Sequence, residues 1–173
     1  SIGGQLLGFN PEYPSIDQVI MVASQSGYWN FYRGWHKLKM WVFWHLMIPG
    51  LTRPFGYFPA NALGLFENLP GKMALEWMRW GKRPEYMMAF RNSDHYYFER
   101  IQSPLLMLSF PADPLAPVAA VDWLADQYSQ AKTTRIHYTE EGKRPGHFGF
   151  FKNGKGDLLW KKTAAWLRTG RWE

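Results

Sequence analysis

Among the serines, aspartates and histidines of the chain, the candidates for nucleophilic catalysis are Ser1, Asp113 and His147. A serine hydroxyl is a weak nucleophile until a neighbouring base removes its proton, and histidine is the base most often used. A carboxylate beside the histidine orients the imidazole ring and stabilises its protonated form. These residue types predict acyl transfer through a covalent intermediate on Ser1, with His147 as the base and Asp113 as the orienting acid.

The residues that follow Ser1 match the second half of a nucleophile elbow. The full pattern, G-x-S-x-G, is a sharp turn from strand to helix that holds a serine hydroxyl clear of the backbone. Gly3 supplies the small residue after the serine, and Gly4 would allow the following helix to pack closely. The preceding glycine and strand lie outside the sequence, so we expect an upstream segment to complete the elbow. An alternative is that the α-amine of Ser1 is the base, as in N-terminal nucleophile hydrolases.

Asp113 and His147 each come soon after a predicted strand. Residues 104–110 are apolar apart from Ser109 and predict a buried strand, and residues 133–138 predict a strand with partial alternation. Ligand sites gather at the carboxyl ends of parallel strands, so we expect both side chains at one edge of a sheet. Other roles remain open, because Asp113 could bind only local turn amides and His147 could be an ordinary loop residue. Asp94 is the main alternative acid.

Strand and helix signals alternate near both ends of the chain, whereas the middle has helical signals alone. A third buried strand is predicted over residues 19–24, and right-handed crossovers would make all three strands parallel. We expect residues 19–24 to have an unpaired edge that an upstream segment or a second copy of the chain covers. The remaining elements are helices predicted over residues 3–9, 118–130 and 158–168, and, in the middle, from Trp35 to a stop at Pro49-Gly50, over 72–80 and near 85–91.

The elbow residues, the helical insertion and the order Ser, Asp, His resemble the α/β-hydrolase superfamily, in particular its lidded serine esterases and lipase-like members. The resemblance implies a partial α/β-hydrolase fold, a mostly parallel sheet with flanking helices and a helical cap. It divides the chain into an elbow helix and core strand (1–27), an aromatic cap (28–94) and a C-terminal core (95–173).

The resemblance also implies an activity, the hydrolysis of a carboxylic ester or thioester without a cofactor. The backbone N–H of Ile2 would donate to the oxyanion, and a second donor would come from upstream. An apolar ester would bind among aromatic side chains, for which we expect Trp29 and Trp35 in the cap and Phe148 beside the histidine. The alternative is a non-catalytic interaction protein on the same scaffold, because one fold hosts many functions.

The composition of the chain limits the kinds of partner that we expect it to bind. The net charge is +6, yet the basic residues are dispersed and match no nucleic-acid-binding motif, so no nucleic acid is expected. The chain has no cysteine, and its histidines and carboxylates lack metal-ligand spacing. Its longest apolar run, residues 40–48, is too short to span a bilayer, although transient contact with lipid is compatible with the aromatic content. We expect a cytoplasmic location.

Overall fold

A computed structural model describes residues 1–90, 93–139 and 145–172. The chain forms two compact units: Ser1–Ser26 with Asn92–Glu173, and Gly27–Arg91. The second unit therefore covers nearly the same residues as the predicted insertion at 28–94, and it lies in sequence between two strands of the first.

The described residues contain five strands and seven α-helices. The strands are β1 (Val19–Val22), β2 (Tyr57–Phe58), β3 (Leu69–Pro70), β4 (Leu105–Ser109) and β5 (Thr133–His137). The α-helices are α1 (Ile2–Leu6), α2 (Gly34–Val42), α3 (Ile48–Phe55), α4 (Gly71–Gly81), α5 (Val118–Gln127), α6 (Gly146–Gly149) and α7 (Asp157–Thr169). A π-helical turn spans Phe43–Met47, and 3-10 helices span Leu7–Phe9, Tyr13–Ser15, Trp29–Phe31, Asn61–Leu63, Tyr86–Phe90, Ser93–His95 and Phe98–Arg100.

The first unit is built on a three-stranded parallel sheet in the order β1-β4-β5. All five residues of the central strand β4 are buried, as expected for a strand covered on both faces. The predictions of three strands, of their parallel direction and of an edge position for β5 are confirmed. Among the described residues, β1 pairs only with β4, so its other edge carries no strand of this part of the chain.

Helix α1 lies directly against the end of β1, and Gly4 permits this approach. A Cβ atom at position 4 would collide with the side chain of Ser24. The backbone carbonyl of Gly4 accepts a hydrogen bond of 2.7 Å from the hydroxyl of Tyr128, and burial raises the pKa of that phenol. The close helix packing that Gly4 predicts is therefore present, with Tyr128 tying α1 to the end of α5.

The second unit corrects the prediction that a helix stops at Pro49-Gly50. Helical structure runs from α2 through the π-helical turn into α3 and ends only before Gly56. Proline normally breaks a helix because it lacks an N–H group and its ring collides with a carbonyl one turn earlier. Here the π-helical turn directly precedes α3, and its altered hydrogen-bond spacing accommodates Pro49 near the start of that helix.

The second unit also contains a strand pair where only helices are predicted. Strands β2 and β3 form an antiparallel ladder two residues long, in which Tyr57 pairs with Pro70 and Phe58 with Leu69. A segment of two residues is too short to show alternation, so the sequence carries no period-2 signal there. The helix near residues 85–91 is a 3-10 helix, Tyr86–Phe90, and residue 91 lies outside the described residues.

Aromatic side chains supply much of the second unit's core. Trp44, Ile48 and Phe58 are buried together, and the indole N–H of Trp44 donates a 2.9 Å hydrogen bond to the carbonyl of Gly27. Many rings of the insertion are thus used to fold the insertion itself. Within the described ranges, no helix combines the length and the apolarity needed to cross a membrane.

Candidate functional site

Asp113 and His147, the predicted acid and base, form a hydrogen-bonded pair in the first unit. The ring nitrogen Nδ1 of His147 lies 2.9 Å from Oδ2 of Asp113 and 3.2 Å from Oδ1. Only 1% of the Asp113 side chain and 7% of the His147 side chain are exposed. A carboxylate can only accept, so it selects the form of the ring that carries a proton on Nδ1 and leaves Nε2 available as a base.

The second carboxylate oxygen of Asp113 shapes the turn after β4. Oδ1 accepts hydrogen bonds from the backbone N–H groups of Leu115, at 2.9 Å, and Ala116, at 3.0 Å. The sequence presents two interpretations of Asp113, a turn residue and an acid that orients a histidine. Both contacts are present: Oδ1 accepts from the turn amides, and Oδ2 is the oxygen nearer to His147 Nδ1.

His147 lies in the short helix α6, whereas the sequence predicts it in a loop. Gly146 has a φ of 61°, in the left-handed region that side chains disfavour, and α6 starts at this residue. The ring of Phe148 meets the imidazole edge to face with 4.7 Å between centroids, yet Phe148 is 60% exposed. This position leaves most of the phenyl ring free to contact a ligand that approaches the histidine.

Ser1 lies close to the acid–base pair but does not bond to it. Its Oγ donates a 3.1 Å hydrogen bond to Oε1 of Gln25, and in the described part of the chain none joins it to His147. Burial lowers the pKa of the Ser1 α-amine, and the Asp113 carboxylate opposes that shift. The carboxylate is thus within electrostatic reach of the serine backbone. Ile2 is the first residue of α1, where backbone N–H groups have no partner within the helix.

Gln25 is a site residue that sequence reasoning misses. It is 8% exposed, and its amide nitrogen donates a 3.2 Å hydrogen bond to the carbonyl of Leu115 in the Asp113 turn. The available signal is the polar run Ser24-Gln25-Ser26, which follows β1 after Ala23 and would fall at the carboxyl edge of a parallel sheet. All three of these residues are buried.

The two tryptophans predicted to contact substrate belong to the second unit. Trp29 is partly buried beside His45, and the ammonium group of Lys37 lies 5.2 Å from its ring centre. Trp35 is 66% exposed on α2. Their role toward a substrate stays a prediction.

An acid role for Asp94, a metal site and an N-terminal nucleophile mechanism have less support in the geometry. Asp94, the alternative acid, is exposed, and within the described part of the chain it forms no hydrogen bond to His147. No group of three His, Asp or Glu side chains within residues 1–90, 93–139 and 145–172 could hold a metal ion. The parallel sheet also differs from the stacked antiparallel sheets of N-terminal nucleophile hydrolases.

Comparisons of the chain with protein-family models, with curated proteins and with solved structures found no match. Its chemistry must therefore be inferred from the arrangement of Ser1, Gln25, Asp113 and His147.

Proposed function

We propose that this protein is a serine hydrolase of the lidded α/β-hydrolase type that cleaves a carboxylic ester or thioester. The observation that carries the proposal is the buried pair of Asp113 and His147, with Ser1 held in the same cluster by Gln25. Gln25 follows β1 and Asp113 follows β4, so the residues that bond to Ser1 and to His147 lie just beyond the carboxyl ends of two parallel strands. This is the edge at which parallel sheets place their ligand sites.

The reaction would proceed in two halves. Ser1 Oγ attacks the ester carbonyl carbon while His147 Nε2 takes the hydroxyl proton, and the Nδ1–H group of the resulting imidazolium donates to Asp113. The tetrahedral intermediate then releases the alcohol or thiol, which receives the proton from His147, and an acyl ester remains on Ser1. Water repeats the sequence on this acyl ester and releases the carboxylic acid, which restores Ser1.

Two further roles complete the proposal. The N–H of Ile2 donates to the oxyanion as charge develops on the carbonyl oxygen, and this requires the attacked carbonyl to lie over the start of α1. The exposed ring of Phe148 beside His147 favours an apolar group on the substrate. No step requires a cofactor.

The proposal is tested with a fluorophosphonate probe, which forms a covalent bond to an activated serine with loss of fluoride. The chain and a version extended through its natural upstream sequence are treated side by side, and the modified residue is mapped by mass spectrometry. We expect modification at Ser1 in the extended protein and none in its Ser1→Ala variant. Absence of modification in a folded extended protein would contradict the proposal.

A second candidate function, a binding module without catalysis, is favoured by how charge is distributed along the chain. Residues 27–91 contain nine Lys and Arg against three Asp and Glu, so this unit carries the full net charge of +6. The rest of the chain has eleven residues of each sign. Trp35, Leu38 and Trp41 are exposed on α2, at a spacing that puts them within about a third of the helix circumference, and Lys37 and Lys39 lie between them in sequence.

An exposed apolar strip with flanking lysines is suited to transient contact with an anionic lipid surface, because the rings enter the interface and the ammonium groups meet the head groups. We expect the protein to co-sediment with phosphatidylcholine vesicles that contain phosphatidylserine, and less so in high salt. Neutralising Lys37 and Lys39 together should weaken this binding by roughly tenfold or more. The control neutralises Lys152 and Lys155, two exposed lysines outside the second unit. Equal loss in both double variants, or binding to uncharged vesicles alone, would contradict this function.

A further inference from the structure

A continuous series of hydrogen bonds links the hydroxyl of Ser1 to the imidazole of His147 through the protein rather than directly. Ser1 donates to Gln25, and Gln25 donates to the carbonyl of Leu115. The N–H of the same Leu115 donates to Asp113, whose other oxygen lies 2.9 Å from His147 Nδ1. Gln25 therefore couples Ser1 to the Asp113 turn, because both its amide oxygen and its amide nitrogen are hydrogen-bonded.

The orientation of the Gln25 amide follows from its partners. The carbonyl oxygen of Leu115 can only accept, so the amide nitrogen of Gln25 must face it. The amide oxygen is then left toward Ser1, where it can only accept the hydroxyl proton. This arrangement gives the proton of Ser1 to Gln25, whereas the proposed reaction needs the same proton directed at His147 Nε2.

Two residues close in sequence to Gln25 and Asp113 have an uncommon backbone conformation. Ala23 and Ala112 both have positive φ values, 49° and 57°, which residues other than glycine seldom adopt. Ala23 follows β1 and comes two residues before Gln25, and Ala112 follows β4 and directly precedes Asp113. Such conformations persist only where the surroundings enforce them, and they are concentrated at functional sites.

We propose that Gln25 is a positioning residue that holds the Ser1 hydroxyl in a resting position, from which it must be released before His147 can activate it. This inference rests on the proposed function, because it assigns a role relative to the nucleophile and the base of that reaction. Gln25 thus opposes the first proton transfer while it anchors the Asp113 turn. A purely structural glutamine would support the site without opposing that transfer.

If Gln25 both restrains Ser1 and anchors the Asp113 turn, its replacement should raise the rate of modification at Ser1 and lower the melting temperature. Gln25→Met keeps the length of the side chain but removes both hydrogen-bonding ends, so the serine is free to bond to His147. We expect the rate of fluorophosphonate modification at Ser1 to rise roughly threefold to tenfold, the effect of losing one ordinary hydrogen bond. The melting temperature should fall at the same time, because the Leu115 carbonyl loses its donor. A purely structural role would lower both the rate and the melting temperature.

Gln25→Glu provides the opposing variant in the same extended protein. An ionised carboxylate accepts a hydrogen bond more strongly than an amide, so it should hold the Ser1 hydroxyl more firmly and slow the modification below the wild-type rate. It cannot donate to the Leu115 carbonyl, so its melting temperature should fall as in the Met variant and the two variants differ only in the contact to Ser1. The matched control is Gln127→Met, in which a partly buried glutamine of the same unit loses a 2.9 Å hydrogen bond to the carbonyl of Trp123. The control should leave the modification rate unchanged.

The outcomes separate this inference from the proposed function. An order of rates in which the Met variant exceeds wild type and wild type exceeds the Glu variant supports the resting position. If wild type is modified at Ser1 but the Met variant is equal or slower, Gln25 is not a restraint and the hydrolase proposal still stands. If the Met variant does not fold, a Glu variant as fast as wild type overturns the inference alone. If wild type is not modified at Ser1, both proposals fail together.

Discussion

Replacing His147 with alanine is expected to lower ester hydrolysis by on the order of 10⁴-fold or more and to abolish fluorophosphonate modification of Ser1. The imidazole is the base proposed to accept the serine proton, and Asp113 holds it with Nδ1 protonated. Alanine removes the acceptor and leaves the Ser1 hydroxyl at its ordinary, low nucleophilicity. Turnover of a p-nitrophenyl ester and the rate of probe modification measure the two effects.

Stability must be followed in the same variant, because alanine also leaves Asp113 without its imidazole partner. The turn itself should persist, since Oδ1 of Asp113 keeps its two backbone donors. The matched control is His36→Ala, which removes an exposed imidazole on α2. A folded His147→Ala protein that retains more than a tenth of wild-type turnover would place the base elsewhere.

Replacing Asp113 with asparagine is expected to lower turnover by on the order of 10⁴-fold with little loss of stability. Asparagine keeps an oxygen for the N–H groups of Leu115 and Ala116, so the turn is retained. Its amide nitrogen then occupies the place of Oδ2 and donates toward His147 Nδ1. The imidazole must accept there and carry its proton on Nε2, which makes it unable to take the proton of Ser1.

The control for this substitution is Asp122→Asn. The Oδ1 atom of Asp122 accepts a 2.8 Å hydrogen bond from Arg135, and half of its side chain is exposed, so the loss of its charge should change neither turnover nor melting temperature appreciably. The Asp113→Asn effect should appear in kcat, because the tautomer of His147 alters the chemical step rather than ground-state binding. A fall in the melting temperature large enough to account for the lost turnover would instead make Asp113 a structural residue.

The parallel sheet could be predicted from sequence because its signals are local. Residues 104–110 are apolar apart from Ser109, and β4 is buried along its whole length. The predicted helical stop at Pro49-Gly50 is wrong because it also relies on a local signal. A local rule for proline cannot anticipate the π-helical turn that precedes α3. The β2–β3 ladder is too short to leave any pattern.

The residues of the candidate site also differ in whether local sequence signals predict them. Asp113 and His147 could be selected because each follows a strand in a turn-forming setting, and the structure brings the two together. Gln25 could not, because its partners lie 24 and 90 residues away and only the folded chain brings them within hydrogen-bonding distance. A polar residue after a buried strand indicates where to look for a site but does not identify the atoms it contacts.

The two oxygens of Asp113 also bear on how this position can change during evolution. Oδ1 closes the turn after β4 and Oδ2 is the oxygen nearer to His147, so any substitution here affects folding and the proposed activity together. Glutamate, longer by one methylene, would displace both oxygens together and cannot preserve one contact by giving up the other. A lineage that lost the activity would still be under pressure to retain Asp113 or an asparagine that caps the same turn. Conservation of an acid at position 113 would therefore be weaker evidence of catalysis than conservation of His147.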